Sequence, residues 1–234
     1  MSTPSRVVDE ALAGDLALAA MGTARAFAAG ATLWAVAPGW EPHAHHIAVE
    51  FVHPVVVGTR ALPAVAVVGS GLVAQARVCV RPGDLMVLVA SADDPAARDL
   101  IRRAPAWGVT TIWIGAGARP AAGSADHVLW VDVDDPLAPA TGAFVQLYHL
   151  LWELTHVCFE HPGLLGAEAC AGEVCVTCSD EGRPGEVVSV TSQSSARVRT
   201  ATGVVDCDTT LVAPVRPGDL VLVHAGLAIA VDGR

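Results

Sequence analysis

The sequence predicts an α/β domain with a parallel sheet covered by helices on both faces, followed by a small all-β barrel. Two observations carry this. Up to residue 160, short apolar runs alternate with helical segments, the pattern of strands buried between helices. Beyond a small-residue linker at 163–172, the chain becomes short β-branched runs broken by Gly, Pro, Ser and Asp, the pattern of a barrel or sandwich. The predicted division is 1–162, a linker over 163–172, and 173–234.

The elements follow in order. Residues 6–29 are rich in alanine and predict a helix. The run 31–37 predicts a buried strand ending at Pro38-Gly39. Glu41-Pro42 opens a second helix with proline in its first turn, and Pro54 ends it. Strands are predicted over 64–68, 85–90, 110–114 and 127–133. Helices are predicted from Asp94-Pro95 to about 106, with Gly108 as the stop, and over 140–160. In the last part, strands are predicted over 186–190, 196–200, 204–206, 210–212 and 220–224. Arg-Pro-Gly-Asp-Leu stands at both 81–85 and 216–220 and predicts the same turn into a strand twice.

The chain has 234 residues, 53% hydrophobic and 16% charged, enough for a sizeable core. A formal net charge of −10 argues against nucleic-acid or anionic-membrane partners, which need a basic face. No run of about 18 uncharged apolar residues predicts a membrane span. The acidic N-terminal segment lacks the basic start of an export signal. A cytoplasmic protein with free or metal-linked thiols is therefore expected of the six cysteines.

Helical spacing supplies the first chemical signal. His43, His46, Glu50 and His53 in the second helix have offsets 0, 3, 7 and 10, within a stripe of about 80°. Gln146, His149, Glu153 and His156 repeat those offsets in the long helix, and Glu160 extends the line. Each stripe holds a Glu-x-x-His, which puts a carboxylate and an imidazole one turn apart, as in helix-borne metal sites. Facing each other, the stripes predict a site for zinc, nickel or iron. The alternatives are two solvated faces or a polar contact in a dimer.

Cys175-Val-Thr-Cys178 is a C-x-x-C, consistent with a redox pair, half a zinc site or two buried thiols. Pro184-Gly-Glu-Val-Val188 follows it, and Arg216-Pro-Gly-Asp-Leu-Val-Leu-Val-His-Ala-Gly-Leu-Ala-Ile229 nearly closes the chain. With these motifs, residues 173–231 resemble the HypC/HupF family of hydrogenase maturation chaperones. The resemblance implies a small β-barrel and a role in [NiFe] hydrogenase maturation. It also implies a thiol that transiently carries an Fe(CN)2CO precursor, and as partners a HypD-type scaffold and the hydrogenase large subunit. The family's thiol is at a chain start; here Cys175 or Cys178 stands in for it. His224 in the closing run is a further candidate.

The first part, over about 6–160, resembles the SIS (sugar isomerase) domains, especially the phosphoheptose isomerases. The resemblance rests on Ala37-Pro-Gly-Trp-Glu41 followed by Ala44-His-His-Ile-Ala-Val-Glu-Phe51, on Gly83-Asp84 and on Gln146-x-x-His149. It implies metal or acid–base roles for His46, Glu50 and Gln146, with Glu50 the candidate catalytic residue, and a homodimer or homotetramer. The family's phosphate loop is Ser/Thr-rich; Ala90-Ser-Ala-Asp-Asp-Pro95 stands there instead. Asp93 and Asp94 repel a phosphate dianion, so no phosphate-binding residues are assigned. A maturation factor is the leading expectation; the alternative is a sugar-phosphate isomerase-like enzyme with a regulatory β module.

Overall fold

The computed structural model describes residues 9–56, 58–131, 142–165 and 182–232. The first elements are α1 (Glu10–Ala28), β1 (Leu33–Val36), α2 (Glu41–Val52), β2 (Ala64–Val67), α3 (Leu72–Cys79) and β3 (Leu85–Val89). They are followed by α4 (Pro95–Trp107), β4 (Thr110–Ala116), β5 (His127–Val131) and α5 (Ala143–Glu160). The five strands form one parallel sheet in the order β2-β1-β3-β4-β5. β3, the central strand, is buried at all five positions, so both faces of the sheet are covered. On one face Leu33, Leu85, Val87, Ile112 and Ile114 pack with Phe27 of α1, Ile47 and Phe51 of α2, and Leu147 and Leu151 of α5.

Most predicted elements are present to within a few residues. Helix α3 is an addition. It has only eight residues and no apolar period, and Gln75 ties its first turn to the preceding loop by donating to Val68 O and Ser70 O. Asp84, just ahead of β3, is a carboxylate only 6% exposed. Its Oδ1 accepts from Thr32 N–H at 2.9 Å and its Oδ2 from Trp34 Nε1–H at 2.8 Å. A buried acid with two such donors belongs to the scaffold, where it ties the entry of β3 to β1.

The last part folds as β6 (Arg183–Ser192), β7 (Ser195–Thr200), β8 (Gly203–Asp208), β9 (Leu220–His224) and β10 (Leu227–Val231). These close into a barrel in the order β10-β8-β7-β6-β9, which leaves no free sheet edge. Val187, Ala196, Val198, Cys207, Val215, Val221, Val223 and Ala228 fill its interior. Two expectations are corrected. Residues 210–212 are a turn, because Asp208 Oδ1 accepts from both the N–H and the hydroxyl of Thr210 and bends the chain out of β8. The closing apolar run is two strands rather than one. Ala225 and Gly226 both have positive φ (48° and 82°), as a two-residue hairpin turn requires. The twin Arg-Pro-Gly-Asp segments do make the same turn, with Gly83 and Gly218 at φ 90° and 92°.

The Pro-Gly of β6 has a packing reason. Gly185 is buried, and a Cβ built on it would overlap Val198 Cγ1 on the neighbouring strand. Gly185→Ala is therefore expected to destabilise the barrel by about 1–3 kcal/mol through overpacking. Faster hydrogen exchange across β6 and β7 would show it.

Two compact units divide the chain. One takes residues up to 79 with 83–101 and 110–167; the other takes 80–82, 102–109 and the rest of the chain from 168, barrel included.

Candidate metal centre

The site lies in the first unit, where α2 meets α5. Helix α2 buries Ala44, Ile47 and Phe51 against the sheet, which turns His43, His46 and Glu50 toward α5. Helix α5 buries Phe144, Leu147, Tyr148 and Leu151, which leaves His149 on the side facing α2. His46 Nε2 is 3.2 Å from Glu50 Oε1 and 3.1 Å from His149 Nε2. His149 Nε2 is 3.3 Å from the same Glu50 oxygen. Glu50 is the least exposed of the three, at 16%; His46 and His149 show 38% and 44%.

This triangle has the dimensions of a metal face. Three ligands at ~2.0–2.1 Å from a tetrahedral zinc lie about 3.3–3.4 Å apart. Two imidazoles and one carboxylate suit zinc, nickel or iron, and three protein ligands leave a position open. A groove of about 490 Å³ opens beside Glu50 and His149, walled by Val55, Val56, Trp152, Glu153 and Val157.

Not all of the two stripes converge. His43 is joined to the cluster through Tyr148, whose hydroxyl oxygen is 3.3 Å from His43 Nδ1 and 2.9 Å from His46 Nδ1. His53 is the C-terminal cap of α2 and is exposed. Gln146 and Glu153 are exposed, one turn to either side of His149. His156 is buried, with Nδ1 2.8 Å from Trp152 O and Nε2 3.0 Å from Arg60 O. It stands seven residues, about 10 Å of helix, beyond His149. There α2 has ended and the segment after it takes the ring instead. Tyr148 is the residue that periodicity did not single out. It occupies an apolar position and is buried, and only its hydroxyl is polar. Burial and the charge of Glu50 push that hydroxyl above the usual phenol range, so it keeps its proton.

The crevice where an open α/β sheet takes ligands lies at the strand-order reversal, here between β1 and β3. Acids occupy it. Glu41 accepts from Gly69 N–H at 2.8 Å, and Asp94 Oδ1 accepts from Ala97 N–H at 2.8 Å, capping α4 with its own carboxylate. A hydrogen bond from Ser91 holds the Asp93 carboxyl below its ordinary range.

Cys175 and Cys178 lie outside the described residues. His224 is the half-buried last residue of β9, opposite Leu227 in the closing hairpin. Among the described residues no helix is long and apolar enough to cross a membrane.

Residues 182–231 match the model of the HupF/HypC family. No curated protein matches the chain. The fold of the N-terminal part is shared with a phosphoheptose isomerase from Francisella tularensis, at a TM-score of 0.55 and 16% identity over 63% of this chain and 88% of that one. A phosphoheptose isomerase from Neisseria gonorrhoeae matches with a TM-score of 0.51 and 18% identity, over 62% and 87%. The chain thus joins an α/β part with the sugar-isomerase fold to a closed barrel that matches the HupF/HypC family.

Proposed function

We propose that this protein is a cytoplasmic maturation factor for a [NiFe] hydrogenase, acting as a carrier or docking chaperone for the Fe(CN)2CO precursor. The observation that carries the reading is the HupF/HypC match over 182–231, a segment that forms a closed barrel with its own core. Cys175 and Cys178 precede that barrel in the sequence, as the family's thiol precedes its own. A thiolate is a soft iron ligand, and one at the head of a compact barrel can pass a complex between partners. Those partners are a HypD-type scaffold and the hydrogenase large subunit.

The α/β part holds a metal ion at His46, Glu50 and His149, supported by the tetrahedral spacing of their three ligand atoms. Bound there, the ion would supply a Lewis acid facing the adjacent groove. Glu50 orients both imidazoles through one oxygen, and Trp152 with Val55 and Val56 walls that side with apolar surface. The shared fold favours an isomerase-like second reading. The carboxylates of Glu41, Asp93 and Asp94, in the segments that follow β1 and β3, weigh against a phosphorylated sugar. Turnover of sugar phosphates that Glu50→Gln abolished would favour that second reading over the first.

The test of the carrier reading is copurification of the intact chain with a HypD-type scaffold and a hydrogenase large subunit. The wild type is expected to retain both, and either Cys175→Ala or Cys178→Ala is expected to lose the complex and hydrogenase activity. Retention of partners and activity by both variants and by the double variant would remove the thiol carrier role.

A further inference from the structure

Two histidines of α2 converge on one hydroxyl of α5. Tyr148 is 1% exposed, and its oxygen is 2.9 Å from His46 Nδ1 and 3.3 Å from His43 Nδ1. A protonated phenol has one hydrogen to donate, so it donates to one ring nitrogen and accepts from the other. A neutral imidazole carries a single N–H, so the partner of one ring nitrogen decides the state of the other. His46 Nε2 is the atom that faces Glu50 and His149. To offer a lone pair there, His46 must carry its proton on Nδ1, and that N–H needs an acceptor inside a crowded helix contact. Tyr148 supplies it, and its own hydrogen then goes to His43 Nδ1. The three proton positions are one setting.

We propose that Tyr148, backed by His43, is a positioning residue that holds His46 with its Nε2 lone pair directed at a divalent cation shared with Glu50 and His149. The proposal rests on the metal reading above. Tyr148 sits directly before His149 on α5, and His43 and His46 are one turn apart on α2, so the same bonds fix the approach of the two ligand-bearing helices. The ring itself has a separate duty. It packs edge-on against His46 at 5.2 Å and His43 at 5.8 Å between centroids. Tyr148→Phe keeps that packing and removes only the oxygen.

The test measures zinc affinity of the full chain by competition with a chromophoric chelator, for wild type, His46→Ala, Tyr148→Phe and His43→Leu. Outer-sphere partners of this kind are worth about 10–100-fold in metal affinity, which is the loss expected for Tyr148→Phe. His43→Leu is expected to lose less, because Tyr148 still accepts from His46. Nitrogen-labelled histidine adds a readout that packing alone would not move. In the zinc-loaded wild type, His46 is expected to show a slowly exchanging Nδ1 proton, lost in Tyr148→Phe. Affinity of Tyr148→Phe within twofold of wild type would overturn the positioning role and leave the metal reading standing, whereas a loaded wild type whose His46 proton sits on Nε2 would overturn both, because Nε2 is then no ligand. Wild-type binding no tighter than His46→Ala would overturn both. Should Tyr148→Phe fail to fold, the His46 proton position in the wild type and the His43→Leu affinity decide the matter.

Discussion

His46→Ala is expected to lower zinc affinity by about two orders of magnitude or more, the largest functional change in the α/β part. The reasoning is a division of known totals. Four-ligand zinc sites bind with about 10–16 kcal/mol at neutral pH, so each protein ligand carries roughly 3 kcal/mol, or about 100-fold. His46 does more than an average ligand. Its Nε2 lies within 3.2 Å of both other ligand atoms, so its loss also removes the group that holds Glu50 and His149 together. The metal content of the purified chain and a chelator competition check this. Gln146→Ala, by contrast, is expected to leave affinity unchanged, since Gln146 is exposed and outside the triangle.

The largest stability change is expected from Asp84→Ala. The substitution strands the Thr32 N–H and the Trp34 Nε1–H, both of which now donate to the Asp84 carboxylate. A buried donor left without an acceptor costs about 1–3 kcal/mol; Thr32 and Trp34 are half-buried, so the lower half of that range applies to each and a loss of ~2–4 kcal/mol follows. That is a large share of the ~5–15 kcal/mol that holds a domain folded. Asp84→Asn keeps one acceptor oxygen and is expected to lose less. Five of the six tryptophans lie in the first unit and only Trp107 in the other, so tryptophan fluorescence in urea is dominated by this part of the chain. A midpoint shift at unchanged slope is the expected form. An unchanged midpoint in Asp84→Ala would show that the two donors find other acceptors at no cost.

Much of this architecture can be read along the chain, and the exceptions have physical causes. The period of the buried strands and the Pro and Gly punctuation locate the sheet and most barrel strands within a few residues. Helix α3 is too short to show a period, and the β9–β10 hairpin is hidden because Ala225, an unusual turn residue, is itself apolar and blends into the run. In the site, spacing along each helix finds His46, Glu50 and His149 but also gathers His53, Gln146, Glu153 and His156. Periodicity reports which face a residue is on, not where along that face the partner helix passes. Only the residues level with His46 and His149 meet. Tyr148 escapes for a different reason: its ring counts as apolar, and its one polar atom matters only once His43 and His46 are seen beside it.

The same distinction governs the barrel. Gly185 is legible as part of Pro-Gly-x-Val-Val, and the packing of Val198 against it gives that glycine its reason. The thiols at 175 and 178 are legible only as a pair of cysteines ahead of the barrel. The role proposed for them rests on cargo chemistry, and the proposed cargo, an iron complex with cyanide and carbon monoxide, would carry its own spectroscopic signature.

Infrared spectroscopy of the full chain, isolated without oxygen from cells making a [NiFe] hydrogenase, tests the central claim most directly. The account predicts cyanide and carbon monoxide stretching bands that copurify with the wild type and vanish in the Cys175→Ala/Cys178→Ala double variant. A wild type with full hydrogenase maturation and no such bands, or bands that survive loss of both thiols, would contradict it.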